Sequence, residues 1–138
     1  MTNNKPLIEW QEEILSVGIA RMDETHREFI DLVNQLGMAS DTQFHALFKM
    51  LLEHTVQHFK HENIAMEKSG FPPIIIHRNE HFRVLDKLKL LLLEIENGEL
   101  DLARAFVCKY LPKWFPLHAE TMDRALANHI KMSAMAGS

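Results

Sequence analysis

The chain has 138 residues, 46% hydrophobic and 25% charged, with a formal net charge of −4, the size and composition of one ordinary globular domain with its own core. A pI near 6.1 provides no general basic field for phosphates, so no nucleic-acid partner is expected; the longest apolar run, "LKLLLLEI", is far too short to span a bilayer, so no membrane insertion is expected. With Cys108 as the one cysteine, no internal disulfide can form. The residue reads as a small buried apolar group, and the start, "MTNNKPLIEWQEE", has no uninterrupted apolar segment, which together point to a cytoplasmic protein.

Residues 1–18 read as an N-terminal arm carrying Trp10. From about Ile19 to Met38, apolar Met22, Phe29, Ile30, Val33 and Leu36 recur at helical spacing and predict one buried stripe. A second helix opens at "SDTQ", where Ser40 and Gln43 fit a capping box, and runs through Leu47, Leu51, Phe59 and Met66 to about Ser69. Gly70 is placed to end it in a left-handed cap. Pro72 and Pro73 disfavour helix before them yet pre-set the backbone for the first turn of a new one, so a third helix is expected from about Pro73 to Glu96, stopped by Asn97-Gly98. The fourth covers about Asp101 to Ile130. Within it, Pro112 and Pro116 each remove an amide donor, which predicts either a kink before His118 or a helix that starts late, near Pro112. The pattern is all-α: an up-down-up-down four-helix bundle over residues 19–131, with 132–138 as a frayed tail.

The chemistry lies in how the histidines are spaced. Side chains four apart on a helix differ by only roughly 40° around the axis, so they project from one face. His58 with Glu62 makes one such pair and His77 with His81 another, and the turn between them folds the two faces together at overlapping depths. Imidazoles and a carboxylate buried with nothing to bind would be costly, whereas a cation reverses that penalty. Such mixed ligands inside a bundle suit iron, manganese or zinc.

"HFKHE", "HRNEH", the earlier "DETH" ending at His26, and "WFPLHAETMD" containing His118 and Asp123 together resemble the bacterial hemerythrins, from the Trp10 arm through Asp123. The resemblance implies two iron ions, cycling between Fe2+ and Fe3+. His77, His81 and His118 would hold one iron, His26 and His58 the other, and Glu62, Asp123 and an oxo or hydroxo group would bridge them. Dioxygen would bind at the one open coordination position. The implied role is carriage, storage or delivery of oxygen, with an oxygen-consuming enzyme as candidate recipient. With no substrate cavity or positioned acid or base groups evident beyond the ligands, the chain is expected not to be primarily an enzyme, a redox side activity being left open. The alternatives are a di-iron scavenger of peroxide or nitric oxide, a sensor acting on a separate partner, and a structural bundle holding adventitious zinc.

One spacing fits poorly. His118 and Asp123, five apart, would lie roughly 140° apart on an ideal α-helix. Two residues depart from the family pattern: Asn63 stands where a second acid is common, expected as a surface change of small effect, and Phe115 stands where an aliphatic residue often lines the oxygen pocket, which it is expected to narrow. Asp23 either orients His26 or serves as a polar or capping position; His54 either lies over the site or is a partly exposed helix residue. His61 is expected in solvent, and His45 and His129 are given no role.

Overall fold

In the computed structural model, which describes residues 5–136, every regular element among the described residues is helical. A short α1 (Glu12–Leu15) lies in the arm, followed by α2 (Ala20–Met38), α3 (Asp41–Ser69) and α4 (Ile74–Glu96). The fourth helical run is composite: α5 (Asp101–Ala105), a π-helical turn (Phe106–Tyr110), α6 (Leu111–His118), a second π-helical turn (Ala119–Asp123) and α7 (Arg124–Ala136). Short links at 39–40, 70–73 and 97–100 make successive helices antiparallel, and α3 packs on both α2 and α4. The result is a four-helix bundle. No helix among the described residues is long and apolar enough to cross a membrane.

The local signals explain the helix ends. The Ser40 amide donates to Gln43 Oε1 at 3.2 Å, opening α3. Gly70 adopts φ 65°, a left-handed conformation open to glycine, and the Phe71 amide donates back to the Met66 carbonyl at 3.0 Å. Pro73 caps α4, and Gly98 ends it at φ 88°.

The proline-rich run begins at Asp101 and is not a late start. Pro112 falls in the first turn of α6, just after a π turn in which the Leu111 amide reaches back to Phe106 O, so the missing donor is absorbed by a widened turn. That turn places Phe106 and Val107 inward and leaves Cys108 exposed, contrary to the buried position expected of it. The run also extends past Ile130 to Ala136, so most of the expected frayed tail is helical; residues 137–138, like 1–4 of the arm, lie outside the described residues.

The arm is fastened to the bundle at several points. Asn34 exchanges two 2.9 Å hydrogen bonds with the Ile8 backbone. Asp23 accepts from Ser16 Oγ at 2.6 Å and from the Val17 amide at 2.9 Å, so its carboxylate holds the chain before α2 and is not spent on His26.

The core has three layers. Phe29, Phe44, Phe48, Leu51, Phe59, Leu88, Leu111 and Phe115 belong to a large apolar cluster; Met66, Phe71 and Leu126 form a smaller one. Along each long helix, buried polar residues separate the two: His26 between Met22 and Phe29, Glu62 between Phe59 and Met66, His77 and His81 between Ile74 and Val84, and His118 and Asp123 between Phe115 and Leu126. A polar layer is thereby sealed on both sides by hydrocarbon.

Candidate metal centre

All seven sequence-predicted site residues meet in that layer, and all are buried. The α3 and α4 pairs follow from ordinary helical spacing: His58 Nε2 lies 2.7 Å from Glu62 Oε2, and His81 Nε2 lies 3.0 Å from Glu62 Oε1. His118 and Asp123 meet for a different reason. The residues from Ala119 to Asp123 form a π turn, whose i to i+5 closure returns the fifth residue to the starting face, and His118 Nε2 lies 3.3 Å from Asp123 Oδ1.

Each carboxylate faces two ways. Glu62 presents Oε1 to His81 and, at 3.4 Å, to His77, while Oε2 faces His58 and, at 3.8 Å, His26. Asp123 presents Oδ1 to His118 and, at 3.1 Å, to His77, while Oδ2 lies 3.1 Å from His26. The donors therefore divide into two groups that share both carboxylates: His77, His81 and His118 on one side, His26 and His58 on the other. Within each group the ligand atoms all lie within 4.8 Å of one another. Two cations fit such a set, with three imidazoles on one and two on its neighbour.

The hydrogen-bond geometry supports a cation reading. Nε2 of His26, His77, His81 and His118, both Asp123 oxygens and Glu62 Oε1 are buried without a well-directed hydrogen bond, despite contacts of 3.0 to 3.8 Å. The lone pairs converge on shared points instead of on one another. Buried polar atoms are ordinarily satisfied, so this concentration of orphans is what a coordinating ion would resolve.

Without a cation, the cluster holds itself together with protons. Burial alone would raise both carboxyls, and the Glu62 charge would raise Asp123 further. The charges on His58 beside Glu62, and on His118 together with the His26 contact beside Asp123, outweigh this and hold both carboxyls well below their usual range. Burial likewise opposes charge on His26 and His77, but Asp123 and Glu62 overcome it and raise them to about 10 and about 9. His81 is lowered by burial, with His77 and His118 adding to the effect.

Residues 17–132 match the family model described as the hemerythrin HHE cation binding domain. The chain belongs to the hemerythrin family. It is 37% identical over 121 residues to a bacteriohemerythrin of Ralstonia nicotianae, an alignment covering 88% of this chain and 87% of that one. It is also 28% identical over 115 residues to a myohemerythrin of Sipunculus nudus, covering 81% and 85%. The crystal structure of a wild-type hemerythrin superposes with a TM-score of 0.80 at 20% identity, covering 90% of this chain and 98% of that one.

Around the hemerythrin cluster, aromatic rings hold the imidazoles in place. Phe59 stacks on His81 at 3.9 Å with 5° between planes, and Trp114 stacks on His118 at 4.6 Å while its indole N–H donates to Glu80. Phe115 sets its ring edge-on to His26 at 5.3 Å and stacks on Phe29 at 4.9 Å, placing it on the side with fewer histidines. A groove of about 390 Å³, with Met22, Ile64, Leu126 and Ile130 in its walls, reaches His58 and Glu62.

The neighbours of the site fall partly where the sequence put them. Asn63 is not a surface change: it is half-buried, and its Oδ1 accepts from His81 Nδ1 at 3.1 Å. Its position one residue after Glu62 made it look like a flank of α3, but at a crowded helix interface an adjacent side chain can still reach the neighbouring helix. His54 is, as expected, a partly exposed helix residue, and its ring also lies 6.1 Å from that of His58, beside the site. His61 is exposed, as expected. His129, given no role, lies with Nε2 2.7 Å from the Ser69 carbonyl, where it caps the end of α3. Trp114 has no signal in sequence that would pair it with Glu80, 34 positions away.

Proposed function

We propose that this hemerythrin binds dioxygen reversibly at a di-iron centre held by His26, His58, Glu62, His77, His81, His118 and Asp123. The observation that carries the reading is the two-faced arrangement of Glu62 and Asp123 between unequal histidine sets. Three imidazoles and two shared carboxylate oxygens would leave one iron nearly filled; two imidazoles and the same carboxylates leave its partner a place for a small ligand. An iron pair, when bound, would supply the two electrons that reversible oxygen binding draws on.

The remaining residues protect that site. Phe29, Phe115 and His26 pack tightly on the side with two histidines, which suits a small apolar molecule. Glu62 and Asp123, whose oxygens face opposite ways towards the two histidine sets, would each be shared by a bound pair. Five imidazoles and two carboxylates contribute little negative charge, favouring a ferrous pair over a more highly charged state. We read the role as binding and not catalysis, in the cytoplasm, with carriage, storage or delivery to an oxygen-consuming enzyme as the purpose.

Scavenging of peroxide or nitric oxide is the second reading, and the groove reaching His58 and Glu62 favours it by offering small reactants a path. An optical titration separates the two. The reduced, iron-loaded protein should contain two irons per chain and develop a visible band on exposure to oxygen that disappears when oxygen is removed. Zinc alone in the purified protein, or steady peroxide turnover with an electron donor and no stable oxygenated spectrum, would overturn the proposal.

A further inference from the structure

Of the five imidazoles in the cluster, His81 differs from the others in one respect. The Nδ1 atoms of His26, His58, His77 and His118 are buried without a hydrogen-bond partner, whereas His81 Nδ1 lies 3.1 Å from Asn63 Oδ1. We infer that Asn63 is a positioning residue that fixes the tautomer of His81 and, through it, sets the redox poise of the ion shared by His77, His81 and His118. The inference rests on the di-iron reading of the cluster.

The chemistry comes from what an amide oxygen can do. Asn63 Oδ1 can only accept, so the proton of a neutral His81 ring resides on Nδ1, and the lone pair is left on Nε2. That Nε2 has no other hydrogen-bond partner and lies 3.0 Å from Glu62 Oε1, at the shared point of the cluster. Phe59, stacked on the same ring at 3.9 Å, fixes its plane, while Asn63 fixes which edge faces the ion. Residues that accept from the outer nitrogen of a ligating imidazole both orient the ring and adjust its basicity.

The neutrality of Asn63 is the informative part. A carboxylate at this position would draw the Nδ1 proton towards itself, push electron density onto Nε2 and add a negative charge near the metal, each favouring the more highly charged ion. An amide holds the ring with equal direction but without that charge. Asn63 therefore biases the nearby ion towards its reduced form while retaining the geometric benefit of an outer hydrogen bond.

Iron-loaded wild-type, Asn63→Asp and Asn63→Ala proteins separate orientation from charge when compared by midpoint potential and by competition with a chelator. Asp keeps the acceptor, so iron retention should stay close to wild type while the oxidised state gains about tenfold, a lowering of about 59 mV for a one-electron step. Ala removes the acceptor, so iron affinity should fall about tenfold or more. Circular dichroism confirms that each variant is folded. A residue that only filled space would not produce this split. If wild type takes up two irons and both variants match it in potential and retention, the inference fails alone. If wild type takes up no iron pair, the di-iron reading fails and the inference falls with it.

Discussion

The α3–α4 hairpin and the fourth helical run both deliver candidate ligands to one polar layer, but by opposite means. In the hairpin, His58 with Glu62 and His77 with His81 stand four apart on unbroken helices joined by a Gly-Phe-Pro-Pro turn. In the fourth run, His118 and Asp123 stand five apart and share a face because the backbone between them widens into a π turn. Regular helix places the first pairs at no cost in backbone geometry. The second pair depends on a local irregularity of a kind often found at functional sites.

Deletions expose the difference most directly, and the largest effect is expected from them. Removing exposed Lys60 from α3 turns every later residue by roughly 100° relative to His58, carrying Glu62 off its face and abolishing binding of the metal pair. Removing exposed Glu120 from the π turn shortens the spacing to four, which an ordinary α-helix places on one face. That variant should keep more of its metal than the Lys60 deletion does. Metal analysis of the two proteins checks this, and equal loss in both would show that the π turn itself, not merely the facing of the two side chains, is required.

Single ligands come next. Asp123→Ala removes the carboxylate that faces His26, His77 and His118 at 3.1 to 3.3 Å, and should reduce bound metal from two ions per chain to one or none. His61→Ala, altering an exposed residue beside the His58 to Glu62 face, should leave metal content unchanged. Glu62→Ala should be at least as severe, because Glu62 faces four imidazoles (His26, His58, His77 and His81) where Asp123 faces three.

Proton linkage connects the two regions, since Glu62 comes from one and Asp123 from the other. Metal-free His26 and His77 are raised to about 10 and about 9 from 6.5. A base whose folded pKa lies above its unfolded value stabilises the fold fully below the unfolded value, and that contribution is lost as pH rises through the folded one. The metal-free protein should therefore lose stability between about pH 6.5 and 10, read as a falling Tm. Metal uptake has the opposite sign: coordination needs neutral imidazoles, so binding releases protons and strengthens with rising pH over the same window. A chelator competition that weakened with rising pH would contradict the assignment of these imidazoles as ligands.

The smallest structural change tests the packing beside His26. Phe115→Leu keeps an apolar residue and should cost about 1 to 2 kcal/mol of stability. It removes the ring edge that faces His26 and should change oxygen association or autoxidation several-fold. Stopped-flow rates identical to wild type would show that Phe115 does not control access.

Much was legible in the sequence, because its strongest signals are local. Helical spacing of Phe29, Ile30, Val33 and Leu36, the Ser40 box, Gly70 and the Pro72-Pro73 break describe a bundle through propensities that act over a few residues. The i, i+4 pairs showed four of the seven site residues for the same reason, and likeness to a family supplied His26, His118 and Asp123. What escaped depends on contacts between helices or on the backbone phase. Whether Cys108 faces inward, whether His118 and Asp123 meet, and whether Asn63 reaches His81 each turn on where a π turn falls or how closely two helices approach. The sequence determined which residue types are carried by each helix. The tertiary structure alone decided that Glu62 and Asp123 each face both ways, because that arrangement exists only where four helices converge on one buried layer.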